Sequence, residues 1–226
     1  MPSLFSLQIG RTRELGIPGS RESMDKPWVS GFYKEPITAP VAISLFNLDG
    51  DEQADLENHG GRDKAICCYA AEHYPNWREA LELPELPYGA FGENFTLAGL
   101  NEETICLGDQ YSIGTAVVEV SQPRQPCWKL GRRWRIKELP AVVIETGRTG
   151  WYLRVIQPGV VAAGQELTLL ARPSPDWSIA RANEIFYRGK HDAAASEALA
   201  EVPVLALEWR EHLQSRAGML RAKRLS

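Results

Sequence analysis

The chain has 226 residues, of which 44% are hydrophobic and 24% charged, so it is long enough to bury a core and has the balance of an ordinary globular protein. Its net charge of −4 argues against non-specific binding of a nucleic-acid polymer or an anionic membrane by the whole surface. The sequence has no run of about 18 apolar residues and no N-terminal secretory pattern, so we expect a cytoplasmic protein without a membrane span.

Short strands dominate the structure expected for the first 170 residues. Turn signals such as Gly108-Asp109 and Gly114-Thr115 separate short runs with strand patterns, which favours a barrel or sandwich over alternating strands and helices. One helix is expected over residues 71–83, where Pro75 is tolerable because it lies in the first turn. The predicted fold class is therefore mainly β: an antiparallel β-barrel domain over residues 1–170 with a few covering helices. Strands are expected at residues 4–9, 37–45, 65–70, 104–107, 110–113, 116–120, 142–146 and 165–170.

The composition changes after residue 170. Residues 171–175 read as a linker because two prolines cannot continue a strand ladder. Ser178 and Asp192 are candidate N-caps of two helices, and an apolar spacing of four over residues 205–214 predicts a third. We therefore predict a small three-helix module over residues 175–218 that packs on the barrel or on another subunit, which is compatible with a homodimer. The basic tail at residues 221–224 is expected to be solvated.

The segment Ser121-Gln-Pro-Arg-Gln-Pro-Cys-Trp-Lys129 is the strongest candidate for chemistry. Its two prolines stiffen a connection that follows a predicted strand. Arg124 and Lys129 would favour the thiolate of Cys127, and a thiolate is both a nucleophile and a soft metal ligand. These residues alone leave open an inert cysteine, which is the commonest role of a free cysteine in proteins.

The other three cysteines lie in apolar, strand-like runs without nearby cations, which favours a packing role for Cys67, Cys68 and Cys106. Cys67 and Cys68 are neighbours on a predicted strand, so their side chains should point to opposite faces. A disulfide between them is therefore not expected.

Three further segments combine glycine with polar residues. In His59-Gly-Gly-Arg62, which follows Asp49-Gly-Asp51, His59 is a candidate acid or base, metal ligand or anion contact, or a hydrogen-bonded loop residue. Phe91-Gly-Glu-Asn94 offers a carboxylate and an amide to a ligand, or simply makes a turn. Arg132-Arg-Trp-Arg135 reads as a solvated loop in preference to a phosphate site.

Taken in order, Asp49-Gly-Asp51, His59-Gly-Gly61, Phe91-Gly-Glu-Asn94, Gly108-Asp109 and Ser121-Gln-Pro-Arg-x-Pro-Cys127 resemble the MOSC family, the family of the molybdenum cofactor sulfurase C-terminal domain. The resemblance covers residues 40–170, and the C-terminal part resembles the three-helix module of the YiiM-type members. It implies a β-barrel that binds the molybdenum cofactor (molybdopterin), with Cys127 as the residue proposed to ligate molybdenum or to carry sulfur. Pyridoxal phosphate is also associated with the family, but the sequence has no lysine motif that supports it.

The YiiM-type resemblance implies reduction of N-hydroxylated small molecules, such as hydroxylaminopurine base analogues, as a detoxification. His59 would then relay a proton. The candidate cofactor-binding residues are Arg62, Asn94, Ser121, Arg124 and Lys129. The sequence has no dinucleotide or flavin fingerprint, so electrons are expected from a separate reductase. Two alternatives remain open: a sulfur carrier or transferase that uses a Cys127 persulfide, and a cofactor-binding module without turnover of its own.

Overall fold

A computed structural model of the protein describes residues 1–225, and an eight-stranded curled sheet forms its body. The sheet order is β12-β8-β9-β10-β6-β7-β1-β4, while β2 pairs with β3 and β5 pairs with β11 in two small sheets. The strands are β1 (Ser3–Ile9), β2 (Arg13–Leu15), β3 (Trp28–Ser30), β4 (Glu35–Ile37), β5 (Val41–Ile43), β6 (Ile66–Ala70), β7 (Phe95–Ala98), β8 (Gln110–Ile113), β9 (Ala116–Pro123), β10 (Trp151–Gln157), β11 (Gly159–Val161) and β12 (Thr168–Ala171).

The sheet curls so that its β12 end returns to β1. The amide of Leu4 donates to the carbonyl of Gln165 at 2.8 Å, and the amide of Leu167 donates to the carbonyl of Pro2 at 2.9 Å. These bonds occupy backbone groups that an open edge would leave unpaired. The predicted β-barrel class is therefore confirmed, although β6 and β7 pair in parallel within the otherwise antiparallel sheet.

Seven helices accompany the sheet in the described part of the chain. Asp55 and Ser178 cap α1 and α5 by accepting hydrogen bonds from the amides of Asn58 and Arg181. The helices are α1 (Leu56–His59), α2 (Tyr74–Ala80), α3 (Trp128–Trp134), α4 (Leu139–Thr146), α5 (Ile179–Asn183), α6 (Ala193–Ala200) and α7 (Leu207–Leu225). Within residues 1–225, no helix combines the length and apolar character that a membrane crossing requires.

Two predicted strands are wrong. Residues 142–146 belong to α4, which has Pro140 in its first turn and ends at Gly147 in a left-handed conformation with φ 72°. Their β-branched side chains suggested a strand, but only one side of the helix is buried. Residues 104–107 form turns around one isolated bridge between Cys106 and Ser178, and the first turn is fixed by Asn101, whose side chain accepts the amides of Glu103 and Thr104.

Other elements have different bounds from those predicted. The run over residues 37–45 divides into β4 and β5, which pair with different strands, with Pro40 between them. The helix over residues 71–83 is a 3₁₀ turn, Ala71–His73, followed by α2, with Pro75 in its first turn as expected. The sequence patterns did not identify β7, β10 or α3.

The C-terminal residues form the predicted three-helix module. Its first helix is α5 continued by a π-helical turn, Glu184–Arg188, and the other two are α6 and α7. The third helix extends beyond the predicted end at residue 214, so Arg221 of the expected basic tail lies on α7 and pairs with Glu197. Trp209 and Leu213 join the same buried cluster as the barrel residues, so the module packs on the barrel.

Candidate active site

A cleft opens where the ends of β6, β9 and β10 meet the β2–β3 arm and α1. It encloses about 580 Å³ including its open mouth. The lining combines cations, thiols, a histidine and a tyrosine. The ionisable lining residues are Lys34, Glu52, His59, Lys64, Cys67, Arg124, Cys127, Lys129 and Tyr152.

Three adjacent strands build the floor of the cleft. Cys67 on β6 lies directly opposite Tyr152 on β10, and Tyr152 lies opposite Gln122 near the end of β9. Side chains alternate along β6, so Cys67 lines the cleft while Cys68 joins the apolar core. Burial raises the pKa of the Cys67 thiol to about 11. Burial and the neighbouring Cys67 also raise the pKa of Tyr152, so both groups are neutral at pH 7.

Arg124 carries the deepest cation of the cleft. Its residue is only 4% exposed, its amide donates to the carbonyl of Gly150 at 3.0 Å, and its Nη2 donates to the carbonyl of Phe91 at 2.5 Å. Its Nη1 is buried without a hydrogen-bond partner. An unpaired donor on a buried charge is costly, so this atom provides a binding position for an anion or another strong acceptor.

Cys127 and Lys129 enter the cleft from the start of α3. Cys127 is half-buried and is the residue immediately before the helix, with an extended backbone at φ −109° and ψ 165°. Lys129 is buried, and within residues 1–225 its ammonium makes no ion pair; the Trp128 ring centre lies 6.0 Å from it. Lys129 and Arg124 thus leave uncompensated positive charge beside the Cys127 thiol.

His59 occupies the last position of α1, on the same cleft. The α1 turn is fixed by Asp55, which accepts the amides of Asn58 and His59, and by the Lys64 ammonium, which donates to the carbonyl of Asn58 at 2.9 Å. Burial and the nearby Lys129 lower the pKa of His59 to about 4, with a smaller contribution from Arg124. His59 is therefore neutral at pH 7.

The two other lysines of the cleft already have acidic partners. Lys34 pairs with buried Asp51, which also accepts the amide of Gly10 at 2.8 Å. Lys64 pairs with Glu208 of α7 at 2.5 Å, a contact that joins the helical module to the cleft. Of the lysine and arginine side chains in the lining, Arg124 and Lys129 are therefore the two whose charge is available to a ligand.

The cleft brings together five of the seven predicted site residues. These are His59, Asn94, Arg124, Cys127 and Lys129. Asn94 also has a structural role. Its side-chain Oδ1 accepts the backbone amide of Cys67, and its backbone amide donates to the carbonyl of Cys67. Its neighbour Glu93 is fully buried and accepts the amides of Gly89 and Phe91, so that carboxylate shapes the loop and does not face a ligand.

Ser121 and Arg62 lie elsewhere. The Ser121 hydroxyl is buried and donates to the carbonyl of Asp63 at 2.5 Å, with the carbonyl of Tyr152 at 3.0 Å. Its one proton is thus directed at backbone carbonyls and the residue is not part of the cleft lining, so this geometry does not support the cofactor-binding role of Ser121, which stays a prediction. Arg62 lies on an exposed 3₁₀ turn, Arg62–Lys64, outside the cleft lining. The turn aims Lys64 and not Arg62 at the cleft.

Several lining residues were not predicted. Cys67 was assigned to packing because its strand is apolar, yet strand alternation already placed it and Cys68 on opposite faces. Tyr152 was missed together with β10, and Lys34 lies in a region without a recognised motif. The run at residues 132–135 is not the expected solvated loop, because its first three residues lie on α3 and Arg133 donates to the carbonyls of Phe32 and Gly89.

Comparisons with known proteins agree with this architecture. The MOSC domain matches residues 55–168, and the YiiM-like 3-alpha helix domain matches residues 177–216. The uncharacterized protein YflK of Bacillus subtilis is 43% identical over 208 residues, covering 92% of this chain and 91% of that protein. A protein named "Reductase" from Gibberella moniliformis is 40% identical over 153 residues, which are 66% of this chain but only 27% of that longer protein.

A solved structure extends the likeness to three dimensions. The crystal structure of YiiM from Geobacillus stearothermophilus has a TM-score of 0.80 and 38% sequence identity, covering 96% of this chain and all of that one. The family matches, the relatives and the common architecture of barrel and helical module confirm the resemblance drawn from the ordered motifs. The chain belongs to the MOSC domain family and carries the helical module of its YiiM-like members.

Proposed function

We propose that the cleft binds the molybdenum cofactor and that the protein reduces N-hydroxylated compounds, such as hydroxylaminopurine base analogues, to the corresponding amines. MOSC membership supports the cofactor, and the relative named "Reductase" supports the reaction class. The observation that carries the proposal is the unpaired, buried Nη1 of Arg124 in the same cleft as the half-buried Cys127 thiol.

The residues present fit this cofactor. Its phosphate requires cations and hydrogen-bond donors, which Arg124 and Lys129 supply. Its metal would accept a soft ligand, which the thiolate of Cys127 would supply. Arg124 would therefore hold the cofactor at its phosphate and Cys127 would hold it at its metal. Lys129 would contact the phosphate or the thiolate.

When bound, the cofactor would supply the electron pair that cleaves the N–O bond. The overall change is R–NHOH plus two electrons and two protons to R–NH2 plus water. The chain must place the hydroxylamine group in the cleft, protect it from bulk water and deliver a proton to the departing oxygen.

We propose that His59, which lines the cleft, delivers that proton. Its pKa of about 4 reflects burial first and then Lys129 and Arg124, so an anionic ligand that neutralises those cations removes part of the cause. An imidazole is a side chain that transfers protons efficiently near neutral pH, which supports this role. His59 would receive the proton from solvent at the cleft mouth and pass it to the hydroxyl oxygen.

The electrons would come from a separate protein. The Gibberella moniliformis relative is mostly additional sequence, since this chain matches 27% of it, and a longer polypeptide can carry its own electron-transfer domains. For this chain we propose a reductase partner that acts at the cleft mouth.

The proposal is tested by producing the protein in a host that makes the cofactor. Molybdenum is measured by mass spectrometry and the pterin by fluorescence after oxidation, for the wild type, Cys127→Ala and Cys106→Ala. Cys106 is a matched control because it is a free cysteine outside the cleft. We expect molybdenum and pterin in the wild type and in Cys106→Ala, and loss of molybdenum in Cys127→Ala.

Equal molybdenum in the wild type and Cys127→Ala would show that Cys127 is not a ligand. A wild-type protein without molybdenum or pterin would overturn the cofactor assignment. Protein that instead carries a sulfane sulfur on Cys127 would point to the sulfur-carrier function.

A further inference from the structure

Trp28, Trp128 and Arg132 form an aromatic and cationic cluster beside the cleft, here called the rim. The two indole rings meet edge to face at 5.2 Å between centres, and the Arg132 guanidinium lies 4.4 Å from the centre of the Trp128 ring. Trp128 is 51% exposed, which is unusual for so large an apolar side chain. This exposed cluster requires an explanation beyond the packing of the core.

Both chain segments of the rim continue into the cleft. Trp128 stands between Cys127 and Lys129, which line the cleft, and the Lys129 ammonium is 6.0 Å from the Trp128 ring centre. Trp28 begins β3, whose last residue Ser30 also lines the cleft. The rim therefore borders the space in which the Cys127 thiol is reached from solvent.

The rim is held in place by the fold. The β2–β3 arm carries Trp28 in register with Leu15, and Arg132 donates to the carbonyl of Lys26 at 3.0 Å on the same arm. Trp128 is on α3, so the rim joins α3 to the β2–β3 arm. Fixed aromatic faces beside a guanidinium are suited to planar, electron-rich rings, which stack on both groups.

We propose that Trp28, Trp128 and Arg132 form the substrate-specificity site of the protein and bind the planar heteroaromatic ring that carries the N-hydroxylamino group. The inference rests on the proposed N-hydroxyl reduction and specifies which substrates it favours. The ring lies against the rim while its N–OH group extends toward Cys127 and His59. Small aliphatic hydroxylamines reach the same chemistry but gain nothing from the rim.

The test compares 6-hydroxylaminopurine with N-methylhydroxylamine as substrates of the cofactor-loaded protein. Removal of one stacking partner weakens binding of a base by roughly 5- to 150-fold, so we expect Trp128→Ala to raise KM for the purine by a factor in this range. KM for N-methylhydroxylamine and kcat for both should stay near the wild-type values. Trp128→Phe keeps an aromatic face and should recover most of the loss.

Trp177→Ala is the matched control, because Trp177 is also paired with a guanidinium, that of Arg181 at 4.5 Å, and neither of its sequence neighbours lines the cleft. It should leave both KM values unchanged. An equal change of KM for both substrates in Trp128→Ala, or no change for the purine, would overturn the proposal. Thermal denaturation of each variant identifies any that fails to fold, in which case Trp28→Ala takes its place.

A failure of the proposed function is separable from a failure of the rim. If the loaded wild type reduces neither substrate, the reductase assignment fails. Calorimetric titration with adenine, which needs no turnover, then tests separately whether the rim binds a planar heteroaromatic ring. Adenine binding that weakens several-fold in Trp128→Ala and not in Trp177→Ala supports it, and equal affinities overturn it.

Discussion

Arg124 allows a quantitative test of how the cleft holds an anionic cofactor. The perturbation is Arg124→Gln, which removes the buried charge and the unpaired Nη1 donor and leaves a shorter, neutral amide. A hydrogen bond to a charged group contributes about 1.5–3 kcal/mol. Its loss therefore corresponds to a Kd that is roughly 10- to 150-fold higher.

Two comparisons isolate this contribution. Arg124→Lys retains the charge without the second guanidinium nitrogen and should show an intermediate affinity. Arg62→Gln removes an exposed arginine outside the cleft and should bind the cofactor like the wild type. The assay is the pterin content of the purified proteins, together with the affinity of the apoprotein for released cofactor.

Folding must be measured alongside binding. Arg124→Gln also loses the 2.5 Å bond to the carbonyl of Phe91, so urea denaturation is needed to separate a loss of stability from a loss of affinity. Wild-type cofactor content in a folded Arg124→Gln protein would refute the account of the cleft. An equal loss in Arg62→Gln would do the same, because the effect would then not depend on the buried donor.

Three further predictions concern other residues of the molecule. Iodoacetamide should label Cys127 first among the four cysteines, because Cys127 is half-buried while burial raises the pKa of Cys67 to about 11 and that of Cys68 well above 9. Peptide mass spectrometry that finds Cys68 labelled first would contradict this. Because the pKa of His59 is depressed, the unfolded chain takes up a proton below pH 6.5 while the folded protein does so only near pH 4. The free energy of unfolding should therefore be at its full value above pH 6.5 and fall by about 1–2 kcal/mol between pH 6.5 and pH 4, after allowance for partial exposure. Urea titrations at several pH values should show this fall in the wild type and a flatter dependence in His59→Asn. Gly92→Ala should lower the free energy of unfolding by about 1–3 kcal/mol, because Gly92 has φ 80° and a Cβ there would lie 2.5 Å from the Phe32 ring; unchanged denaturation midpoints would show that the loop relaxes freely.

The parts of the fold that could be predicted are those determined by neighbouring residues. The hairpin of β8 and β9 was predicted because Gly114-Thr115 separates two short apolar runs, and the caps Ser178 and Asp192 marked the helical module. The strand predicted at residues 142–146 is wrong because two local signals compete there. Its valines favour a strand locally, but the proline before them and the glycine after them fix a helix that buries Leu139 and Val143 on one face.

The candidate site shows the same division. Arg124, Cys127 and Lys129 are close in sequence, so a stiff, cationic segment identified them together. Cys67 and Tyr152 come from strands far apart in sequence that meet only in the folded sheet, and no local pattern marks their pairing. Ser121 is part of the matching motif, yet its hydroxyl is used by backbone carbonyls, which a motif cannot reveal.

The most direct test of the central claim is turnover by cofactor-loaded protein. Purified protein is supplied with an artificial electron donor and 6-hydroxylaminopurine, and adenine is quantified by chromatography for the wild type and Cys127→Ala. The account predicts adenine formation by the wild type and its loss in the variant. A wild-type protein that contains molybdenum and pterin but forms no adenine, or a Cys127→Ala protein with wild-type turnover, would contradict it.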